Sequence, residues 1–185
     1  MFDIRPMNDF NRTRFREIAS GYSTTEIYRV NHVETGSHML FELRLESLSE
    51  PWEFRFPFSD EELQRYRAIV PGPYCLGAFD GSVQVGIALA EAQAWNQTLW
   101  VWEFHVHENY RGRGAGRILM AELAQMAKDE ALRAIVCETQ NTNVPAIRFY
   151  RAVGFRLEGV DISYYTNEDM EPGRTVAVFM KYRLK

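Results

Sequence analysis

Apolar and polar residues alternate in TEIYRVNHV (25–33) and again in MLFELRLES (39–47), on either side of Gly36, which predicts a β-hairpin. Upstream, FDIRPM (2–7) reads as a short strand. NDFNRTRFREIAS (8–20), with Phe10, Phe15 and Ile18 at near-helical spacing, reads as a short helix ended by Gly21. From Leu48 to Pro73 the pattern is irregular, apart from Ser59 and Glu62, which are spaced as a capping box opening a helix. Beyond Pro73 three runs of strand character follow: 74–79, 82–92 and 98–107. The Asp80-Gly81 and Trp95-Asn96-Gln97 turns separate them, so an antiparallel meander is expected.

The period then lengthens. In GRILMAELAQMAKDEAL (116–132), Ile118, Leu119, Ala121, Leu123 and Met126 mark a broad apolar helix face. RAIVCET (133–139) reads as a buried strand. VPAIRFYRAV (144–153) reads as a second helix with Pro145 in its first turn and Gly154 as its stop. FRLEGVDISYY and TVAVFMKYRL close the chain as two strands joined by the polar turn TNEDMEPGR. Strands and helices do not alternate regularly enough for a doubly wound parallel sheet. The expected fold is mixed α/β (α+β): a mostly antiparallel twisted sheet flanked by helices on both faces.

Size and charge narrow the function classes. The 185 residues, 46% of them hydrophobic, suit a single domain spanning 1–185. A net charge of −4 argues against binding nucleic acid or anionic membrane and favours small cationic partners. Cys75 and Cys137 stand far apart without a metal-ligand spacing, so two core thiols are expected, with no disulfide and no metal. The first twenty residues carry charges throughout and lack a signal-peptide pattern, which points to the cytoplasm.

YRGRGAGR (110–117) carries the candidate chemistry. Glycines at 112, 114 and 116 free the backbone to turn sharply and to aim N–H groups into one concavity, and a helix follows at once. Such a site suits a phosphate or diphosphate, and Arg111, Arg113 and Arg117 add positive charge. A dinucleotide-binding GxGxxG would need Gly where Arg117 stands. A P-loop would need Lys followed by Ser or Thr where Arg117-Ile118 stands.

The stretch from Arg111 to Gly116 resembles the (Q/R)xxGx(G/A) signature of the GNAT acyl-CoA-dependent N-acyltransferases. NVPAIRFYRAVGF, with Asn143, Ala146, Phe149, Tyr150 and Gly154-Phe155, resembles that family's second motif. Within it, AWNQTLWVWEFHV, RGRGAGRILM and GVDISYY are similar to the streptothricin acetyltransferases, which acetylate an amine of a cationic antibiotic. Two departures stand out. That group carries two adjacent acids where this chain has Trp102-Glu103, and an acidic stretch where this chain has the aromatic EPWEFRFPFSDEE.

The resemblance implies direct acetyl transfer from acetyl-CoA to a primary amine of a small cationic acceptor in a ternary complex. Glu103 is the first candidate for the base and His105, two residues on along the same strand, the second. Backbone N–H near Val106 is implied as the oxyanion donor, and Tyr150 as the acid that protonates the leaving thiolate, with Phe149 as the better core residue. The implied cofactor contacts come from His105, Val106, Arg111, Gly112, Arg113, Gly114, Ala115, Gly116, Arg117, Asn143 and Tyr150. His107 reads as structural. Trp100, Trp102 and Phe104, which repeat every second residue, read as strand packing before a cation cage that would also take in Trp95, and the acidic runs 60–62 and 168–169 as solvated turns before a steering patch. A homodimer is compatible with the family. An acetyltransferase for a polyamine or protein amine, and a non-catalytic acyl-CoA-binding module, use the same loop and stay open.

Overall fold

The computed structural model describes residues 2–184, in the order β1 (Asp3–Pro6), α1 (Arg12–Ile18), β2 (Tyr22–Thr35), β3 (His38–Phe54), α2 (Asp60–Ile69), β4 (Leu76–Asp80), β5 (Val83–Gln93), β6 (Thr98–Val106), α3 (Ala115–Asp129), β7 (Ala134–Gln140), α4 (Val144–Ala152), β8 (Arg156–Asp161) and β9 (Ala177–Arg183). They fall into two compact units. One holds residues 2–21, 55–137 and 182–184, and the other residues 22–54 and 138–181. In the first the strand order is β1-β4-β5-β6-β7, and in the second β7-β9-β8; β2 and β3 form a separate pair. All resolved pairings are antiparallel except β6 with β7, so the mixed, mostly antiparallel sheet is the one expected.

In the first unit, strand alternation sorts the helices onto the two faces. Ile87 and Leu89 of β5 join Phe15 and Ile18 of α1 and Leu63 and Tyr66 of α2 in one buried cluster. Each large apolar side chain sealed there contributes about 1.5–3 kcal/mol, which holds two short helices that would not persist alone. The buried side chains of α3, among them Leu119, Leu123 and Ala127, lie outside that cluster although α3 also packs on β4, β5 and β6, so α3 covers the other face. Its buried stripe is Ala115, Leu119, Met120, Leu123, Ala124 and Ala127. The expected face is therefore rotated. Ile118 is 39% exposed and Ala121 is exposed, because the stripe follows steps of four from Ala115 rather than the largest side chains.

One irregularity decides where the chemistry points. β5 and β6 pair Leu89 with Glu103 but Ala90 with Val101, so Trp102 is an extra residue, a β-bulge. In a regular strand Val101 and Glu103 would share a face. Here Val101 lies opposite Ala90 while Glu103 lies opposite Leu89, on the α1/α2 face, and His105 follows it opposite Ile87. The parallel pairing with β7 takes up only Thr98–Val101 of β6, and Trp102 to Val106 lie beyond it.

In the second unit the hairpin is longer than its alternation indicated. β3 continues to Phe54 through a shift in which Thr24 pairs Trp52 and Glu26 pairs Ser47. Leu48–Pro51 loop out opposite Thr25, which places Pro51 where no ladder N–H is needed. Cys75 and Cys137, both in the first unit, are buried. No helix among the described residues is long and apolar enough to cross a membrane.

Candidate active site

The glycine loop begins where β6 ends. His107 donates its backbone N–H to Val85 O at 2.8 Å, and its Nδ1 accepts from Asn109 N at 3.3 Å, which starts a single 3₁₀ turn over Glu108–Tyr110. That is the structural role expected of it. Arg111 then reaches back: Nε donates to Val106 O at 2.9 Å and Nη2 to Gly21 O at 2.8 Å. Desolvation lowers its pKa from the ordinary value, with Glu108 opposing. Its guanidinium thus braces the loop against the strand end. The Arg113 guanidinium stacks on the Tyr110 ring at 4.8 Å and lies 6.0 Å from that of Phe2.

Gly112 and Gly114 hold φ of +73° and +95°, values that a side chain disfavours, and Gly114 is the N-cap of α3. Asn11, Ser59 and Asn143 each cap their helix through a side-chain oxygen. Gly114 provides none. The first N–H groups of α3, those of Ala115, Gly116 and Arg117, precede the first i to i−4 bond, Ile118 N to Gly114 O at 3.1 Å. A 15-residue helix thus begins with its positive dipole end uncapped by a side chain.

On the α1/α2 face of β6, Glu103 and His105 form a pair. His105 Nε2 lies 2.5 Å from Glu103 Oε2, with the two side chains only 11% and 10% exposed. The other carboxylate oxygen, Oε1, accepts the Tyr66 hydroxyl. Burial first, then the nearby Glu103 charge and this bond, push the Tyr66 phenol well above its ordinary pKa, so it stays protonated and donates. Phe56 packs edge-on against the His105 ring at 4.9 Å and 71°, and Phe15 and Phe58 stand at 6.3 Å. The aromatic segment 52–58 therefore ends against this pair. Tyr66 was not among the sequence candidates; its only signal was the i, i+3 spacing from Leu63 on a capped helix.

The aromatic run on β6 is divided rather than shared. Trp100 and Trp102 lie 5.7 Å apart and tilted, whereas Phe104 opposes Ala88 on the α3 face, and Trp95 is 84% exposed. The cation over Trp102 is Arg65 at 4.4 Å, and the indole donates to Glu91 at 2.7 Å. Of the acidic runs, Glu62 closes the capping box with Ser59. Asp169, expected to be solvated, is 3% exposed and accepts from Tyr165 N, Thr166 N and Thr166 Oγ1, which orders the turn before β9.

In the second unit, Asn143 Oδ1 accepts from Ala146 N at 3.2 Å and caps α4. Tyr150 is 6% exposed, with its ring against Phe149 and Phe155, while Phe149 is half-buried. The expected assignment of the core role to Phe149 is reversed, because Val144, Ile147 and Tyr150 share the buried stripe of α4. Glu103, His105, Val106 and the 111–117 loop are thus gathered in one unit, and Asn143 and Tyr150 belong to the other.

A streptothricin acetyltransferase of Streptomyces lavendulae is 37% identical over 86 residues, 46% of this chain and 45% of that protein. Streptothricin acetyltransferase A of Bacillus subtilis (strain 168) is 28% identical over 89 residues, 48% and 50% of the two chains. The chain spans about half the length of these curated relatives. The crystal structure of nourseothricin acetyltransferase matches 100% of this chain and 99% of its own, with a TM-score of 0.76 at 24% identity. A Bacillus anthracis str. Ames structure, described as a streptothricin acetyltransferase in complex with acetyl coenzyme A, matches 99% of both chains with a TM-score of 0.73 at 22% identity. At these identities the likeness is one of fold. The acetyltransferase (GNAT) family profile matches residues 38–155, more than half of the chain, and the protein belongs to that family.

Proposed function

We propose that this acetyltransferase moves the acetyl group of acetyl-CoA onto a primary amine of a small cationic acceptor, of the streptothricin class, by direct attack in a ternary complex. The observation that carries the reading is the uncapped start of α3. It is a helix N-terminus that no side chain caps, under two left-handed glycines, following the strand that holds Glu103 and His105. Its N–H donors fit a diphosphate, with Arg113 and Arg117 flanking and Arg111 holding the loop in shape.

Acetyl-CoA supplies an acyl group activated as a thioester. An ammonium has no lone pair, so the acceptor must first surrender a proton, and the Glu103–His105 pair takes it. Backbone N–H near Val106, where β6 runs beyond its pairing with β7, steadies the developing oxyanion. Tyr150, by the family resemblance, returns a proton to the departing thiolate, and Asn143 combines its capping role with a hold on the pantetheine arm.

The test is thiol release from acetyl-CoA over a panel of streptothricin, polyamines, aminoglycosides and N-terminal peptides. Turnover with streptothricin that collapses in Tyr150→Phe supports both acceptor and acid. Turnover only on another amine discards the antibiotic. Tight acetyl-CoA binding with no turnover on any amine replaces the enzyme reading with that of a binding module.

A further inference from the structure

We infer that Tyr66, Glu103 and His105 form a three-membered relay in which His105 is the proton acceptor, Glu103 fixes its tautomer, and Tyr66 is a positioning residue for Glu103. The inference rests on the acetyl-transfer reading and divides its labour. Glu103 has one oxygen on Tyr66 and the other on His105 Nε2, at 2.5 Å. An ionised carboxylate offers only lone pairs, so the imidazole nitrogen facing it carries the hydrogen. In the neutral ring the other nitrogen, Nδ1, then holds the lone pair. A base needs such a lone pair, whereas both oxygens of Glu103 already accept hydrogen bonds within the site.

Tyr66 sets this arrangement from outside the strand. It is 5% exposed and wedged beside Phe15 and Phe58, with its ring centroid 5.6 Å from the one and 6.2 Å from the other, so its hydroxyl position is fixed by core packing. A glutamate on a strand has freedom about three side-chain bonds. Held at Oε1 by a buried phenol, it can present Oε2 to His105 in one geometry only. The edge-on Phe56 ring limits rotation of the imidazole from the other side.

The experiment compares wild type, Tyr66→Phe and Leu63→Val. Phe keeps the packed ring and removes only the hydroxyl. Leu63→Val loosens the same cluster, where Leu63 is fully buried, without touching Glu103. Two readouts are taken: kcat and KM for thiol release, and the ring-nitrogen pattern of His105 by 15N NMR, assigned among the four histidines with His105→Gln. Wild type is expected to show the Nε2–H tautomer alone. Tyr66→Phe is expected to mix the tautomers and lower kcat about tenfold, a part of the roughly hundred- to ten-thousand-fold that a general base contributes, with KM for acetyl-CoA unchanged. Leu63→Val is expected to change neither readout. If Tyr66→Phe leaves either kcat or the nitrogen pattern as in wild type, or if Leu63→Val reproduces both effects, the relay is overturned while acetyl transfer stands. A wild-type protein that releases no thiol with any amine overturns the transfer reading itself.

Discussion

Replacing Glu103 by Gln keeps the side-chain shape and removes the charge. The amide has one acceptor oxygen and one donor NH2. If the oxygen keeps the Tyr66 hydroxyl, the NH2 faces His105 Nε2, 2.5 Å from the atom it replaces. Two donors cannot share that line, so the ring takes the tautomer with hydrogen on Nδ1, and the outward lone pair is gone. Loss of a positioned general base costs about a hundred- to ten-thousand-fold in rate, and an orienting carboxylate turned into an amide falls toward the upper end through the wrong tautomer. Stability changes far less. Each bond to a charged acceptor is worth about 1.5–3 kcal/mol against about 0.5–1.5 for a neutral one. Burying the neutral amide in a site only 10% exposed recovers part of that difference. A net loss of about 1–2 kcal/mol lowers Tm by about 3–6 °C for a chain of this size. The assay is steady-state thiol release with acetyl-CoA saturating, alongside calorimetry. A Glu103→Gln enzyme with kcat within threefold of wild type refutes the tautomer argument, and a Tm loss of more than about 12 °C would show that Glu103 is chiefly a structural group.

Two further outcomes follow from the loop and from the buried phenols. Gly114→Ala meets nothing within 4 Å but forces φ of +95° on a Cβ, a strain of about 1–2 kcal/mol. KM for acetyl-CoA should rise about five- to thirtyfold, while Gly36→Ala, also in open space and not left-handed, should leave it unchanged; equal constants for both variants would detach the loop from the cofactor. Tyr22 and Tyr66, 7% and 5% exposed, have phenol pKa values raised chiefly by burial. The fold therefore keeps their protons while the unfolded chain releases them near pH 10. Their stabilisation is complete below that pH and is lost above it, at about 2.7 kcal/mol per pH unit for the two. Absorbance at 295 nm should show at least two of the nine tyrosines withheld until an alkaline unfolding transition; ionisation of all nine near pH 10 with the fold intact would contradict this.

Period-two runs and glycine turns made the meander legible, because a half-buried strand must alternate and a tight turn must accommodate a left-handed residue. The loop and the second motif were legible for a similar reason: both are local. What stayed hidden depends on distance along the chain. The Tyr66–Glu103 bond joins residues 37 apart, and nothing near Tyr66 distinguishes it from any core tyrosine on an amphipathic helix. The rotated face of α3 escaped because alanines at 115, 124 and 127 are buried where a larger Ile118 is not, a choice made by close approach to the sheet rather than by hydrophobicity. The extension of β3 past Leu48 was masked by Pro51, which the loop-out accommodates. On α4 the neighbouring Phe149 and Tyr150 are equivalent in pattern, and only the helix phase decides which is covered.

The bulge at Trp102 makes the strand's parity a heritable trait. With Trp102 left out of the ladder, Val101 and Glu103 take opposite faces although they are two residues apart; drawn into the ladder, Trp102 would move every residue beyond it to the other face. A change that drew Trp102 into the pairing with β5 would turn Glu103 and His105 away from Tyr66 and towards α3, and would bring Phe104 to the pocket instead, with no change in composition, whereas deleting Trp102 would leave Glu103 opposite Leu89. Relatives aligned across this point by residue type alone can thus match letter for letter and still display opposite faces. Pairing of Val101 with Ala90 and of Glu103 with Leu89 is the check that a grafted or recombined strand presents its acid–imidazole pair on the Tyr66 side.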